Sequence, residues 1–336
     1  MATKALTSKD KTSRHRSIAI EFSRRCNIKC PHCITGTNPR KKERFSYPQL
    51  SYYLRQTKTI SKGVSFTGGE PFLYLDRLNF AVREATRLRL WKGVITNAFW
   101  ADSQKKAERI LDRINKSGGI DRINISTDIF HEQFVPFSNV INAINTCKKL
   151  KISADIRIFH VGFSKQAKHR AVSLIKKRLK SSGETDIEIH SQPLITFDGI
   201  KIDKRRLKIR YSSRLSAMNR CGALHTFFVT YDGDVYPCCF ALAQAKYQKA
   251  VVLGNINERP LKDIVDEAQS SFLPNFLVKF GPQGLVKLIR EKKGRDLARS
   301  LMHNIQTNDI CHLCVRLFSS LEAISLIGTM RNKTGE

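Results

Sequence analysis

From residue 17 to about residue 200, short apolar runs alternate with longer amphipathic stretches, and this rhythm limits the fold more than any other feature. The apolar runs fall at 17–22, 63–67, 93–96, 122–126, 154–159 and 186–190. Helical periodicity fills 77–90, 102–116, 137–149 and 165–181. Strands separated by helix-length connections pair in parallel, because an antiparallel partner needs only a tight turn. The first part of the chain is therefore predicted to be a parallel α/β sheet or barrel. The pattern changes after a basic connector at 201–217. A small hairpin with an Asp232-Gly233 turn is predicted at 226–236, helices over 261–305, and a last apolar helix over 313–328.

The nine cysteines are clustered. An odd number in a chain without a secretory signal argues against a disulfide framework and for metal. Cys26, Cys30 and Cys33 lie on one loop directly after the first strand. Thiolates suit iron–sulfur clusters and zinc. Three of them hold three irons of a four-iron cube and leave one iron open to a ligand. Zinc requires a fourth protein ligand, for which His32 is the neighbouring candidate. The Thr67-Gly68-Gly69-Glu70-Pro71 segment closes the second strand. Its glycines allow close backbone approach to a ligand, and its proline stiffens the turn.

Together, Cys26-x3-Cys30-x2-Cys33 and Gly68-Gly69-Glu70-Pro71 resemble the signature of the radical S-adenosylmethionine (radical SAM) superfamily. The resemblance implies a partial (βα)6 TIM-type barrel, a [4Fe-4S] cluster on the three cysteines, and S-adenosylmethionine bound at the open iron. Reductive cleavage of that cofactor gives a 5′-deoxyadenosyl radical that takes hydrogen from a substrate. It also implies cofactor contacts from Gly68, Gly69, Glu70 and Pro71, from Asn97 after the third strand, and from Ser126 and Asp128 after the fourth. His32 stands where the family often has an aromatic residue near the adenine. Arg157 lies on the fifth strand, where no glycine-rich adenine segment is evident. His131, Glu132, Phe134, His160 and His190 also follow strand ends, and none is assigned a catalytic role.

The later cysteines form the pattern Cys221-x11-Gly233-x4-Cys238, followed by Cys311-x2-Cys314. Four thiolates saturate an iron–sulfur cluster, and zinc is the alternative occupant. The spacing resembles a shortened SPASM, or Twitch, extension of radical enzymes, interrupted by a helical insert at roughly 240–310. That resemblance implies a small α+β domain with an auxiliary iron–sulfur cluster. Cys239 is either a fourth ligand or a hydrogen-atom donor, and Cys147 reads as a core residue. The expected domains are a basic, flexible 1–16, a barrel over 17–200, a basic linker over 201–217, and an auxiliary domain over 218–336.

The net charge is +30, from 59 Lys+Arg against 29 Asp+Glu. Such a surplus attracts polyanions, although no aromatic–basic nucleic-acid module is present. No apolar run reaches the length of a membrane span, so a cytoplasmic protein without membrane contact is expected. The resemblance implies a peptide maturase, a small-molecule or sugar-alcohol dehydrogenase whose extra cluster accepts an electron, or a nucleic-acid modifier or binder. No leader-peptide-binding domain is evident at either terminus. A flavodoxin or ferredoxin is the expected external electron donor.

Overall fold

The computed structural model describes residues 17–162, 164–194, 202, 207, 211–212, 225–238, 251–292, 295–303, 305–306 and 310–331. The predicted termini, most of the 201–217 connector, Cys221 and Cys239 lie outside the described residues.

All six predicted strands form: β1 (Ser17–Ser23), β2 (Gly63–Gly68), β3 (Trp91–Thr96), β4 (Arg122–Ser126), β5 (Ser153–His160) and β6 (Glu188–Pro193). They pair in parallel with each strand beside the next. The connecting helices are α1 (Tyr47–Lys58), α2 (Leu75–Arg87), α3 (Gln104–Asn115), α4 (Phe137–Lys149) and α5 (Lys165–Ser181). Helix α1 has no counterpart in the sequence reading. Ser46 caps it in a reciprocal capping box with Gln49, and Pro48 sits in its first turn.

The strands broadly follow a two-residue alternation. Ile18, Ile20, Val64, Phe66, Val94, Ile123, Ile125 and Ile156 pack into the main core with the helices. Residues of the opposite parity, among them Ala19, Ser65, Thr67, Ile95, Asn124, Ser126, Arg157 and His190, line a single cavity of 380 Å³. One cavity touched by all six strands requires a sheet that curls around it, and each strand brings at least one polar residue to its inner face.

Three later strands extend this sheet, while two others pair with each other apart from it. After the short β7 (Tyr211–Ser212) come β8 (Thr226–Val229), β9 (Asp234–Tyr236) and β10 (Gly254–Asn255). Strand β8 pairs parallel to β1 on its free side, and β9 and β10 continue antiparallel. The predicted Asp-Gly turn joins β8 to β9, with Gly233 at φ +95°. Glu21 of β1 accepts the Tyr231 N–H (3.0 Å), which ties the turn to the barrel.

Helices α6 (Leu261–Ser270), α7 (Phe272–Lys292) and α8 (Arg295–Met302) follow. Then come β11 (Ile305–Gln306), which pairs with β7, and helices α9 (Ile310–Leu317) and α10 (Leu321–Arg331). Helix α7 bends at Gly281-Pro282. These helices build a second core with Leu285, Ile289, Leu313 and Phe318, which also takes in Ala19 and Phe228 from the sheet. The single helix expected over 313–328 is two helices that meet at 83°. The break has a local cause: Ser320 accepts the Ala323 N–H (3.2 Å) and starts α10 afresh. No single helix among the described residues is long and apolar enough to cross a membrane.

Candidate functional site

The chain leaves β1 at Ser23 and forms the cysteine loop. Bridges from Ser23 to Arg44 and from Arg25 to Asn38 lay residues 38–44 back along this exit. Cys26 N–H donates to Asn38 O (3.2 Å), and Cys33 N–H donates to Cys30 O (3.1 Å). The Thr35 and Thr37 hydroxyls each lie 3.4 Å from Cys33 Sγ. All three cysteines line the cavity at the carboxyl ends of the strands.

Burial, reinforced by Glu70 and Cys33, pushes the Cys26 thiol up to about 12. Burial, with Cys33 and Cys26 beside it, pushes Cys30 up as well. Cys33 disfavours ionisation of both Cys26 and Cys30, and Cys26 that of Cys30, so the three form one group. A metal centre reverses this balance, because its positive charge stabilises thiolates and releases their protons. Three soft donors converging in a site that penalises uncompensated negative charge fit an iron–sulfur cluster.

The Gly-Gly-Glu-Pro turn lies flush against this loop. Gly69 N–H donates to Ser23 O (2.6 Å), and Glu70 N–H donates to Arg25 O (2.9 Å). A Cβ on Gly69 would stand 1.9 Å from Arg25 O, so only glycine fits there. The Glu70 carboxylate turns inward. Its Oε1 accepts from Phe72 N (3.1 Å) and Thr96 Oγ1 (2.9 Å), and its Oε2 accepts from Asn97 N (2.9 Å). Burial drives its pKa up to about 7 against the pull of these donors. The side chain thus clamps the end of β2 to the end of β3. Asn97 passes the link on: its Nδ2 donates to Asn27 Oδ1 (2.9 Å) and lies 3.8 Å from Cys26 Sγ.

Asp128 is a second buried clamp. Its Oδ1 accepts from Phe130 N (2.9 Å) and His131 N (3.1 Å) and meets His131 Nδ1 at 2.9 Å. Its Oδ2 accepts from Phe159 N (3.1 Å) on β5. Burial opposes its ionisation, but the His131 imidazole and the hydrogen bonds prevail and hold it down to about 2. An ionised carboxylate only accepts, so His131 Nδ1 carries the proton in this pair. His131 itself lines the cavity. His32 packs among the rings of Phe130, Phe159 and His131, at 4.6, 4.9 and 5.0 Å between centroids. Burial lowers its pKa to about 4, so it is neutral, and its Nδ1 is buried without a hydrogen-bond partner.

Further round the barrel, Ser126, Arg157 and His190 sit at one level on β4, β5 and β6 as register partners. Asp155 Oδ1 holds Arg157 Nε at 2.9 Å, which orients the guanidinium.

Of the cofactor and metal candidates in the first half of the chain, Cys26, Cys30, His32, Cys33, Gly68, Gly69, Glu70, Asn97 and Ser126 line the cavity. Pro71 and Asp128 are not among its lining residues. Pro71 opens a short 3-10 turn, and Asp128 acts through His131. Glu132 faces away and pairs with Arg178, Phe134 is largely exposed, and Cys147 is a core residue. Gln192 lines the cavity and is absent from the sequence candidates, although it shares the parity of His190. The spacing of Asp128 and His131, one helical turn apart, is the available signal for their pairing. Cys238 and Cys314 pack against the second core, and Cys311 lies one turn before Cys314 on α9.

Comparison with known proteins adds two family matches. The radical SAM superfamily model matches residues 20–177, and the model of SPASM, an iron–sulfur cluster-binding domain, matches residues 221–284. The putative peptide biosynthesis protein YydG of Bacillus subtilis (strain 168) is 24% identical over 321 residues, 93% of this chain and 94% of that protein. GTP 3′,8-cyclase of Listeria monocytogenes serotype 4b is 32% identical over 133 residues, 37% of each chain. Among solved structures, native anSMEcpe with bound AdoMet and the Cp18Cys peptide aligns with TM-score 0.55 and 15% identity, covering 94% of this chain and 99% of that one.

Proposed function

Because the chain belongs to the radical SAM superfamily and carries a SPASM-type iron–sulfur domain, we propose that it is a maturase that modifies a ribosomally made peptide by hydrogen-atom abstraction. The observation that carries the reading is that three grouped thiols and polar residues from all six strands line one cavity. The peptide class rests on the similarity to YydG along nearly the whole of both chains.

Cys26, Cys30 and Cys33 would hold the catalytic cluster, and Gly68, Gly69, Asn97 and Ser126 would receive S-adenosylmethionine beside it. When bound, the cluster and S-adenosylmethionine supply one-electron cleavage and hydrogen abstraction, chemistry that belongs to the cofactor. The chain supplies position and dryness. Glu70 fixes Thr96 and Asn97, so the end of β3 is rigid where it meets the cysteine loop. Thr35 and Thr37 lie within hydrogen-bond reach of Cys33 sulfur, a contact that tunes a cluster's potential. Beyond Ser126, Arg157 and His190 continue the polar row toward the substrate, and His131, held by Asp128, offers Nε2 to exchange a proton with it. Phe159 and Phe228 exclude water.

Cys221, Cys238, Cys311 and Cys314 would hold the auxiliary cluster, and Cys239 is the candidate hydrogen donor. The division into a barrel (17–200) and an auxiliary domain (218–336), and a cytoplasmic flavodoxin or ferredoxin as electron source, belong to the same reading.

The test is 5′-deoxyadenosine formation by anaerobically reconstituted protein under strong reductant. Wild type should form it, and Cys30→Ala should form none; retained turnover in the variant removes the cysteine loop from the chemistry. Deuterium passing from a labelled substrate peptide into 5′-deoxyadenosine would establish the peptide as the hydrogen source.

A further inference from the structure

The +30 charge is not spread evenly around the cysteine loop. Between residues 24 and 44 there are seven cations (Arg24, Arg25, Lys29, Arg40, Lys41, Lys42, Arg44) and one acid, Glu43. The nearby carboxylates are already engaged. Arg24 takes Glu21 (3.2 Å) and Asp232 (2.7 Å), and Lys41 takes Glu43 (3.6 Å). Arg25, Lys29, Arg40, Lys42 and Arg44 are exposed and have no carboxylate within ion-pair reach among the described residues. An uncompensated group of this kind raises the local potential and accelerates the approach of an acidic partner.

The position of these cations identifies the partner. Residues 38–44 run back along the exit from β1, bridged to it at Ser23 and Arg25, and Asn38 accepts the Cys26 N–H. The cavity is lined by eight residues of the loop and its exit, Cys26, Cys30 and Cys33 among them, but by none of the seven cations. The cations therefore lie outside the cavity, a basic rim on the exposed surface of the segment that carries the thiols. A macromolecule seated there stands beside the cysteine loop without entering the cavity, whereas a substrate has to enter it. Electron transfer falls off steeply with distance, so this is where a reductant gains most.

We propose that the exposed cations flanking the cysteine loop outside the cavity, Arg40, Lys41 and Lys42 among them, are the docking surface for an acidic electron-donor protein. The inference rests on the proposed function. The step is a single electron transfer: the donor is oxidised by one electron, the cluster is reduced by one, and no bond or proton changes hands.

The probe is a flavodoxin, titrated calorimetrically in its oxidised form onto the reconstituted holoenzyme. Arg40→Glu/Lys41→Glu/Lys42→Glu should weaken its binding roughly tenfold or more, and the wild-type affinity should fall steeply with salt. Lys176→Glu/Lys177→Glu/Lys180→Glu on the exposed face of α5 makes the same change in net charge far along the chain and should leave binding unaltered. Flavodoxin-driven 5′-deoxyadenosine formation should drop with the rim variant, while formation driven by reduced methyl viologen, a small cation, should not. Unchanged flavodoxin affinity in the rim variant overturns the proposal. So does an equal loss with both reductants, which would make the rim a substrate surface. Wild type that binds flavodoxin but forms no 5′-deoxyadenosine with viologen would overturn the proposed function instead, because the calorimetric result stands without turnover.

Discussion

Glu70 and Asp128 occupy matching places in the barrel and behave in opposite ways. Each follows the carboxyl end of a strand, β2 or β4, and each is almost inaccessible, at 0% and 5% exposure. Each carboxylate accepts several hydrogen bonds and ties its strand to the next. Yet Glu70 is pushed up to about 7 and Asp128 is held down to about 2. Burial is the largest influence on both and disfavours the charge in both. The difference lies in the partners. Glu70 is bonded by two main-chain N–H groups and a hydroxyl, all neutral. Asp128 has three main-chain N–H groups and an imidazole that can carry positive charge. Neutral donors do not offset the desolvation of a fully buried charge, whereas an ionisable partner in contact does.

Replacing each carboxylate with its amide tests that contrast, and the larger effect should come from Asp128. In Asp128→Asn the side chain can no longer balance the His131 imidazole, and its NH2 group must face N–H donors. The loss should be about 4 kcal/mol, typical of breaking a buried pair from one side. Urea denaturation of the cluster-free protein measures it. Stability equal to wild type would mean that the pair is no more than an ordinary hydrogen bond and that the low pKa has another source.

This contrast is invisible in the sequence. Gly68-Gly69-Glu70-Pro71 and Ser126-x-Asp128 both mark strand ends near a cofactor, and both acids read as pocket ligands. Residue type does not reveal which way a short side chain turns at a strand end, and here both carboxylates are bonded to main-chain N–H groups. What repeats is legible: the period of two in six strands, the helical spacing between them, and the cysteine spacing on the loop. What depends on partners distant in the chain is not. The 226–236 hairpin reads as part of a separate unit, because nothing local signals that Phe227 and Phe228 will pair alongside β1. Residues 313–328 read as one helix because their apolar content is continuous; only the Ser320 cap, a single polar atom, divides them. Helix α1 escapes a reading by pattern because Tyr52, Tyr53 and the polar residues around them blur its apolar stripe.

The two acids should also give the protein opposite responses to pH. For Asp128 the folded value lies below the ordinary 3.8, so its contribution is present above that pH and is lost as pH falls toward 2. For Glu70 the folded value lies above the ordinary 4.5, so the folded state binds the extra proton. Stability is then highest below 4.5 and declines as pH rises through about 7. That decline should approach about 3 kcal/mol, since a tenfold change in proton affinity between the folded and unfolded chain is worth about 1.4 kcal/mol. Denaturation curves across this range test it directly. A flat wild-type profile between the two values would place the Glu70 proton elsewhere.

The smallest expected effect, and the most discriminating, is that of Glu70→Gln. A glutamine resembles the protonated acid, so the substitution removes the charge that burial disfavours. Its Oε1 can still accept from Phe72 N and Thr96 Oγ1, while its Nε2 faces Asn97 N–H, where a lost bond costs about 1–2 kcal/mol. Relief of charge burial exceeds that loss only above the pH at which Glu70 ionises. The variant should therefore be about 1 kcal/mol more stable than wild type at pH 8 and no more stable at pH 5, with a flattened slope between. It should also bind S-adenosylmethionine more weakly, because the main chain at Asn97 is no longer pinned beside Cys26. Higher stability with weaker cofactor binding would mean that the ionised carboxylate is kept for the geometry of the site at the expense of the fold. Lower stability at both pH values, by contrast, would show that the three neutral donors do hold a charge, and the distinction between Glu70 and Asp128 would collapse to one of degree.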